Sequence, residues 1–111
     1  MSDWSTTLAL TEESVTKHVG NRGGVYRLMC KKGEGRLVFY VGRSQDLGIS
    51  LLELVHGLAQ NPLLAQYLST YPVEFRFFPT ENAYERSQVE EAELAKWQPC
   101  CNLTHPPPAT A

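Results

Sequence analysis

At 111 residues with 42% hydrophobic content, the chain is expected to form one domain with a modest but sufficient core. A formal charge of -2 and a pI near 5.9 argue against a domain that grips phosphate backbones unaided, because such binding draws on clustered Lys and Arg. No apolar run is long enough to span a bilayer and Met1-Ser2-Asp3-Trp4 does not open a signal peptide, so the expected setting is cytoplasmic, away from membranes.

Residues 1–20 read as an arm followed by a short helix. Met1 to about Leu10 is expected to be loosely held, and Thr11-Glu12-Glu13 starts a helix to about Val19, with a capping residue and acids in its first turn. Gly20-Asn21-Arg22-Gly23 breaks it and opens the main domain, 21–103. Two alternating runs, Arg27 to Cys30 and Arg36 to Phe39, flank a turn over Lys31-Lys32-Gly33-Glu34-Gly35. A hairpin folded about Gly33 sets Cys30 opposite Arg36, Leu28 opposite Val38 and Tyr26 opposite Tyr40. Both tyrosines then share one face, either as ordinary sheet packing or as part of a site.

A helix is expected from Leu47 to Leu58, with Leu47, Leu51, Leu54 and Leu58 as its core-facing stripe. Asn61-Pro62 opens another over Leu63 to Leu68. Val73 to Phe78 alternates as a third strand. Asn82 with Glu85 forms a capping box for a last helix, Ala83 to Trp97, which Pro99 stops. The tail, 104–111, with Pro106-Pro107-Pro108, is expected to be disordered; a proline triplet is also the sort of segment that docks in a partner protein's aromatic groove. The whole reads as α+β: a small three-stranded antiparallel sheet flanked by helices.

Cys30, Cys100 and Cys101 have no zinc-site spacing and imply no disulfide framework, so reduced thiols are expected. His18, His56 and His105 are isolated and are assigned to no metal. Arg22, Arg27, Lys31, Lys32, Arg36 and Arg43 crowd into one third of the chain, as a local basic patch or as a solvated hairpin surface.

From about Gly23 to Leu103 the chain resembles the GIY-YIG nuclease family. Gly24-Val25-Tyr26 stands at the first motif and Tyr40-Val41-Gly42 at the second. Arg43-Ser44-Gln45-Asp46-Leu47 matches the polar loop leading into the first helix, and Val73 to Phe78 the third strand. Glu90 and Pro99-Cys100-Cys101-Asn102 match the glutamate-bearing helix and its Pro-x-x-Asn ending. The resemblance implies DNA as partner and Mg²⁺ or Mn²⁺ as cofactor if the domain is active. It makes Tyr26 and Tyr40 candidates for positioning water, Glu90 the metal ligand, Arg43 a cation near the scissile phosphate, and Asn102 the family's asparagine.

One residue breaks the pattern. Where relatives carry a catalytic arginine, eight residues past Gly42, this chain has Ser50, and no Lys or Arg occurs between Arg43 and Arg76. Losing a guanidinium aimed at developing phosphate charge costs orders of magnitude in rate. Glu90 shares a helical face with Ala83, Arg86, Leu94 and Trp97, which aims it inward with Arg86 as a structural partner; Glu91 is the alternative if the register slips. Three functions follow: a degenerate domain that binds nucleic acid or protein, a metal-dependent endonuclease cleaving DNA, or an interaction domain unrelated to nucleic acid.

Overall fold

The computed structural model describes residues 3–103; the proline-rich tail and His105 lie outside the described residues. Strands β1 (Leu8–Ala9), β2 (Gly24–Lys32), β3 (Gly35–Ser44) and β4 (Val73–Pro79) form one antiparallel sheet in the order β1-β4-β2-β3. Five helices accompany it: α1 (Glu12–His18), α2 (Leu47–Val55), α3 (Pro62–Thr70), α4 (Ala83–Trp97) and α5 (Cys100–Leu103).

The sheet has four strands, not the expected three. Leu8 and Ala9 pair with Phe75 and Glu74 of β4. The Ser5 N–H donates to the Phe77 carbonyl (2.8 Å) and the Leu10 N–H to that of Val73 (2.9 Å). Trp4 packs on Phe78 with ring centroids 5.6 Å apart. Ser5-Thr6-Thr7 has no apolar alternation, but the open edge of β4 supplies the hydrogen-bonding groups that draw it in.

Local capping fixes most helix starts. Thr11 accepts from the Ser14 N–H, Asn61 from those of Leu63 and Leu64, and Asn82 from that of Glu85. The expected capping box at α4 is only half made, because the Glu85 carboxylate accepts from the Thr80 hydroxyl instead. That same hydroxyl accepts from the Asn82 N–H. Helix α2 also ends early: beyond His56 the Leu58 N–H reaches back to the Glu53 carbonyl (2.9 Å) and the Gly57 N–H to that of Leu54 (3.1 Å). This closing pattern turns the chain outward and leaves Leu58 64% exposed. The buried stripe is therefore Leu47, Leu51 and Leu54.

Two cores result. Tyr26, Leu28, Cys30, Phe39, Phe75 and Phe77 face α1, α2, α3 and α5, meeting Val15, Val19, Leu47, Leu51 and Leu64. On the other side Val25, Met29, Val38 and Val41 are covered by Trp4, Phe78, Val89 and Leu94, the last two from α4. Arg27 also lies on that side, in an ion pair with Glu93 (2.7 Å), with its guanidinium over Trp4 (4.5 Å) and Trp97 (5.2 Å).

The hairpin register differs from a fold about Gly33. A two-residue turn, Gly33-Glu34, pairs Lys32 with Gly35, Lys31 with Arg36 and Cys30 with Leu37. Gly33 takes the left-handed conformation, φ +61°, that such a tight turn demands. Beyond Met29↔Val38 the partner of Leu28 is Tyr40, so Phe39 is an extra residue and β3 bulges. Phe39 and Tyr40 consequently pack toward the same core.

Candidate active-site face

The site is floored by the two glycine–tyrosine motifs, which meet in space. Tyr26 lies directly opposite Gly42, and a Cβ on Gly42 would come within 2.5 Å of the Tyr26 Cζ and hydroxyl oxygen. Only a residue without a side chain lets the Tyr26 ring lie across β3 there. Gly24 is constrained in the same way at the start of β2, where a Cβ would collide with the Phe78 carbonyl oxygen.

Tyr40 reaches the same face through the bulge. Had the turn register continued unbroken, Tyr26 would pair with Val41 and Tyr40 would point to the opposite side. The extra residue at Phe39 reverses the alternation and sets the Tyr26 and Tyr40 ring centroids 6.2 Å apart. The two phenols also influence each other: Tyr40 raises that of Tyr26, and Tyr26 lowers that of Tyr40. Burial is the largest influence on both, pushing Tyr26 far above the ordinary phenol range and Tyr40 upward as well; the Glu90 charge adds to each. Both phenols are neutral near pH 7.

Glu90, half-buried on α4, comes near enough for its charge to raise both phenols, while Glu91 is exposed. Burial raises the Glu90 carboxyl, the Arg43 guanidinium offsets this, and Glu91 pushes it up a little further. The Arg43 Nη1 lies 3.5 Å from the Glu90 Oε1 and also donates to the Ser87 hydroxyl (2.9 Å). Arg86 is not the structural partner of Glu90: its Nη1 donates to the Thr80 carbonyl (3.0 Å). That carbonyl lies at the start of α4 and captures the guanidinium before it can reach along the helix.

Ser50 and Ser44 have their hydroxyls 2.6 Å apart, and Ser44 donates to the Asp46 carbonyl (2.8 Å). The site's α2 side thus ends in a closed hydroxyl pair. One turn later Glu53 comes near enough for its charge to raise the Tyr26 phenol. Sequence reasoning missed Glu53, although its spacing of three from Ser50 would have placed both on one helical face.

Asn102 works from behind. Its Oδ1 accepts from the Val41 N–H (2.9 Å) and its Nδ2 donates to the Val41 carbonyl (2.9 Å). The side-chain amide thus imitates a neighbouring strand on the free edge of β3, between Tyr40 and Gly42. Asn61 ties α5 down in turn, with its Nδ2 donating to the Cys101 carbonyl (2.8 Å).

The basic residues do not make one patch. Arg27 is on the far side with Glu93, Arg36 pairs with Glu74 (2.7 Å), and Arg22 binds the carbonyls of Val19 (2.8 Å) and His18 (3.2 Å). Only Arg43 lies beside Glu90.

For a divalent cation the site offers the Glu90 carboxylate beside neutral phenols, with Glu53 on the α2 side. Among the described residues no three His, Cys, Asp or Glu side chains gather as a metal cluster. A single carboxylate suits a hexacoordinate Mg²⁺ that retains its waters, provided a substrate phosphate adds further oxygens. Arg43, 3.5 Å from the Glu90 Oε1, would stand beside such a cation.

No family model and no curated relative matches the sequence. Solved structures do match the fold. They include point variants of the GIY-YIG N-terminal endonuclease domain of UvrC from Thermotoga maritima, two with a tyrosine changed to phenylalanine and one with an asparagine changed to alanine. Each is bound to its catalytic divalent cation. The first aligns at 18% identity and TM-score 0.60, covering 81% of this chain and 96% of that one. The others align at 17% with TM-scores 0.57 and 0.56, covering 81% and 80% of this chain and 96% and 94% of theirs. The chain has the GIY-YIG nuclease-domain fold.

Proposed function

We propose that this chain, built on the GIY-YIG nuclease-domain fold, is a nucleic-acid-binding module whose hydrolytic site has been altered. One observation carries the reading: the cation that a phosphoryl transition state requires is absent from α2. Ser50 is closed onto Ser44, Glu53 brings negative charge toward Tyr26, and Arg43 is paired with Glu90. Charge developing on a phosphate here would meet more repulsion than stabilisation.

The endonuclease reading keeps one specific support, the gathering of Tyr26, Tyr40 and Glu90 on one face. In that case Glu90 would hold Mg²⁺ or Mn²⁺, which would polarise the phosphate and lower the pKa of bound water. The phenols, which burial raises in the metal-free chain, would orient the water by hydrogen bonding. Arg43 would have to leave Glu90 and turn to the phosphate.

Purified protein incubated with plasmid and branched DNA in Mg²⁺ or Mn²⁺ separates the two. Binding by fluorescence anisotropy without cleavage is expected. Robust cleavage abolished by Glu90→Gln would overturn the altered-site reading.

A further inference from the structure

Beside the Glu90 face, between the end of β3 and the first turns of α4, lies a second concavity of about 480 Å³. Arg43, Ser44, Gln45, Tyr84, Arg86 and Ser87 line it. Two features of this lining, Arg86 and Tyr84, are unexplained by folding, and Arg43 adds a second cation beside them.

Arg86 is only 8% exposed, yet it forms no ion pair among the described residues; its hydrogen bond goes to the neutral Thr80 carbonyl. The other strongly buried arginine, Arg27, has Glu93. The Glu81 carboxylate lies nearby, on the Gly23 N–H, but beyond ion-pair distance, so the buried guanidinium keeps room for an anion. Arg43 brings a second guanidinium to the same concavity, where it donates to Ser87 and pairs with Glu90 (3.5 Å), a partner that a phosphate would have to displace. Tyr84 is 72% exposed, its hydroxyl accepts from the Gln88 Nε2 (3.0 Å), and its ring stacks on no other aromatic among the described residues. An exposed ring steadied at its tip is a stacking platform.

We infer that this cleft binds one nucleotide of a single-stranded or unpaired nucleic-acid segment, with its phosphate between Arg43 and Arg86 and its base on Tyr84. The inference rests on the nucleic-acid reading and narrows it, because a base can lie on Tyr84 only when it is out of a duplex stack. Phosphate contacts and stacking are blind to base identity, so the site favours single strands over duplex.

The test uses the full chain and a fluorescent single-stranded oligonucleotide of about a dozen residues, within the ~4–16 nucleotides typical of single-strand sites. A duplex of the same sequence and free mononucleotide are the other probes. The single strand should bind more tightly than the duplex. Tyr84→Ala, at an exposed position that leaves folding intact, should weaken it by about tenfold or more. Tyr84→Trp should keep the binding and show quenched indole emission beyond any change from Trp4 and Trp97. Equal single-strand affinity with and without the Tyr84 ring overturns this site and leaves the nucleic-acid reading standing. Mononucleotide shifting the Tyr84 and Arg86 resonances while no oligonucleotide binds keeps the cleft but overturns the polymer as its ligand, and with it the module reading. No response to any probe overturns both.

Discussion

Arg43 Nη1, at the end of β3, stands 3.5 Å from Glu90 Oε1 on α4, so the two charges offset each other. Half of the Arg43 side chain is in solvent, and a pair of that kind contributes only about 0.2–1 kcal/mol. Arg43→Gln should therefore tighten Mn²⁺ binding modestly, by at most about fivefold. Paramagnetic broadening of amides around Glu90 and Tyr26 measures it. Unchanged affinity would show that Arg43 and metal do not compete.

The Glu90 carboxyl is raised on folding, burial outweighing Arg43. An ionised Glu90 therefore costs stability above its folded-state pKa, and the cost vanishes below the ordinary carboxyl value, where both folded and unfolded states are protonated. Glu90→Gln should melt a few degrees higher than the unmodified protein at pH 7, and the gap should close toward pH 4. A gap that persists in acid would point to packing and not to charge.

Gly42→Ala drives a methyl into the Tyr26 ring, a contact that side-chain rotation cannot relieve in a buried site. A loss of roughly 1–3 kcal/mol is expected by urea unfolding. The loss should shrink in the Tyr26→Ala background, since the colliding ring is gone. Strict additivity in that double-mutant cycle would contradict the packing described.

Asn102→Ala strips both partners from the Val41 backbone and should cost about 1–3 kcal/mol. Asn102→Asp should do no better, because a carboxylate keeps the Val41 N–H but turns an acceptor toward the carbonyl. Amide exchange at Val41 should quicken most in the alanine variant. Protection equal to that of the unmodified protein in both variants would mean that the strand edge holds without the amide.

Helix α2 carries no Lys or Arg, and restoring one should change cleavage. Ser50→Arg alone should raise cleavage little, because Glu53 lies one turn along the helix and offers the new guanidinium a carboxylate. Ser50→Arg with Glu53→Gln should raise it further, read by plasmid nicking in Mg²⁺ or Mn²⁺. If the double variant is no more active than the single one, Glu53 is not what restrains the site.

What was legible in the sequence was local. Thr11, Asn61 and Asn82 cap their helices by hydrogen bonds to residues two or three positions on, so the starts of α1, α3 and α4 could be read directly. The second strand run of the hairpin hid its irregularity: Val38-Phe39-Tyr40-Val41 are all good strand residues, and nothing local marks Phe39 as the extra one. The shared tyrosine face was reached through a register two places off, and it survived because alternation repeats every two residues. β1 escaped notice because its pairing comes from the edge of β4, far along the chain. Glu53 and Arg86 were misjudged for a similar reason, since helical spacing says which residues are neighbours but not which backbone carbonyl or ring lies across the gap.

The contact between Tyr26 and Gly42 makes two short motifs, distant along the chain, into one steric object. Neither carries meaning alone in a divergent relative. A sequence that keeps the tyrosine but places any side chain at the facing position must hold its phenol elsewhere, however well the tripeptides score. The hairpin between them is free to lengthen or shrink, because the pairing partner and not the separation is what the fold remembers.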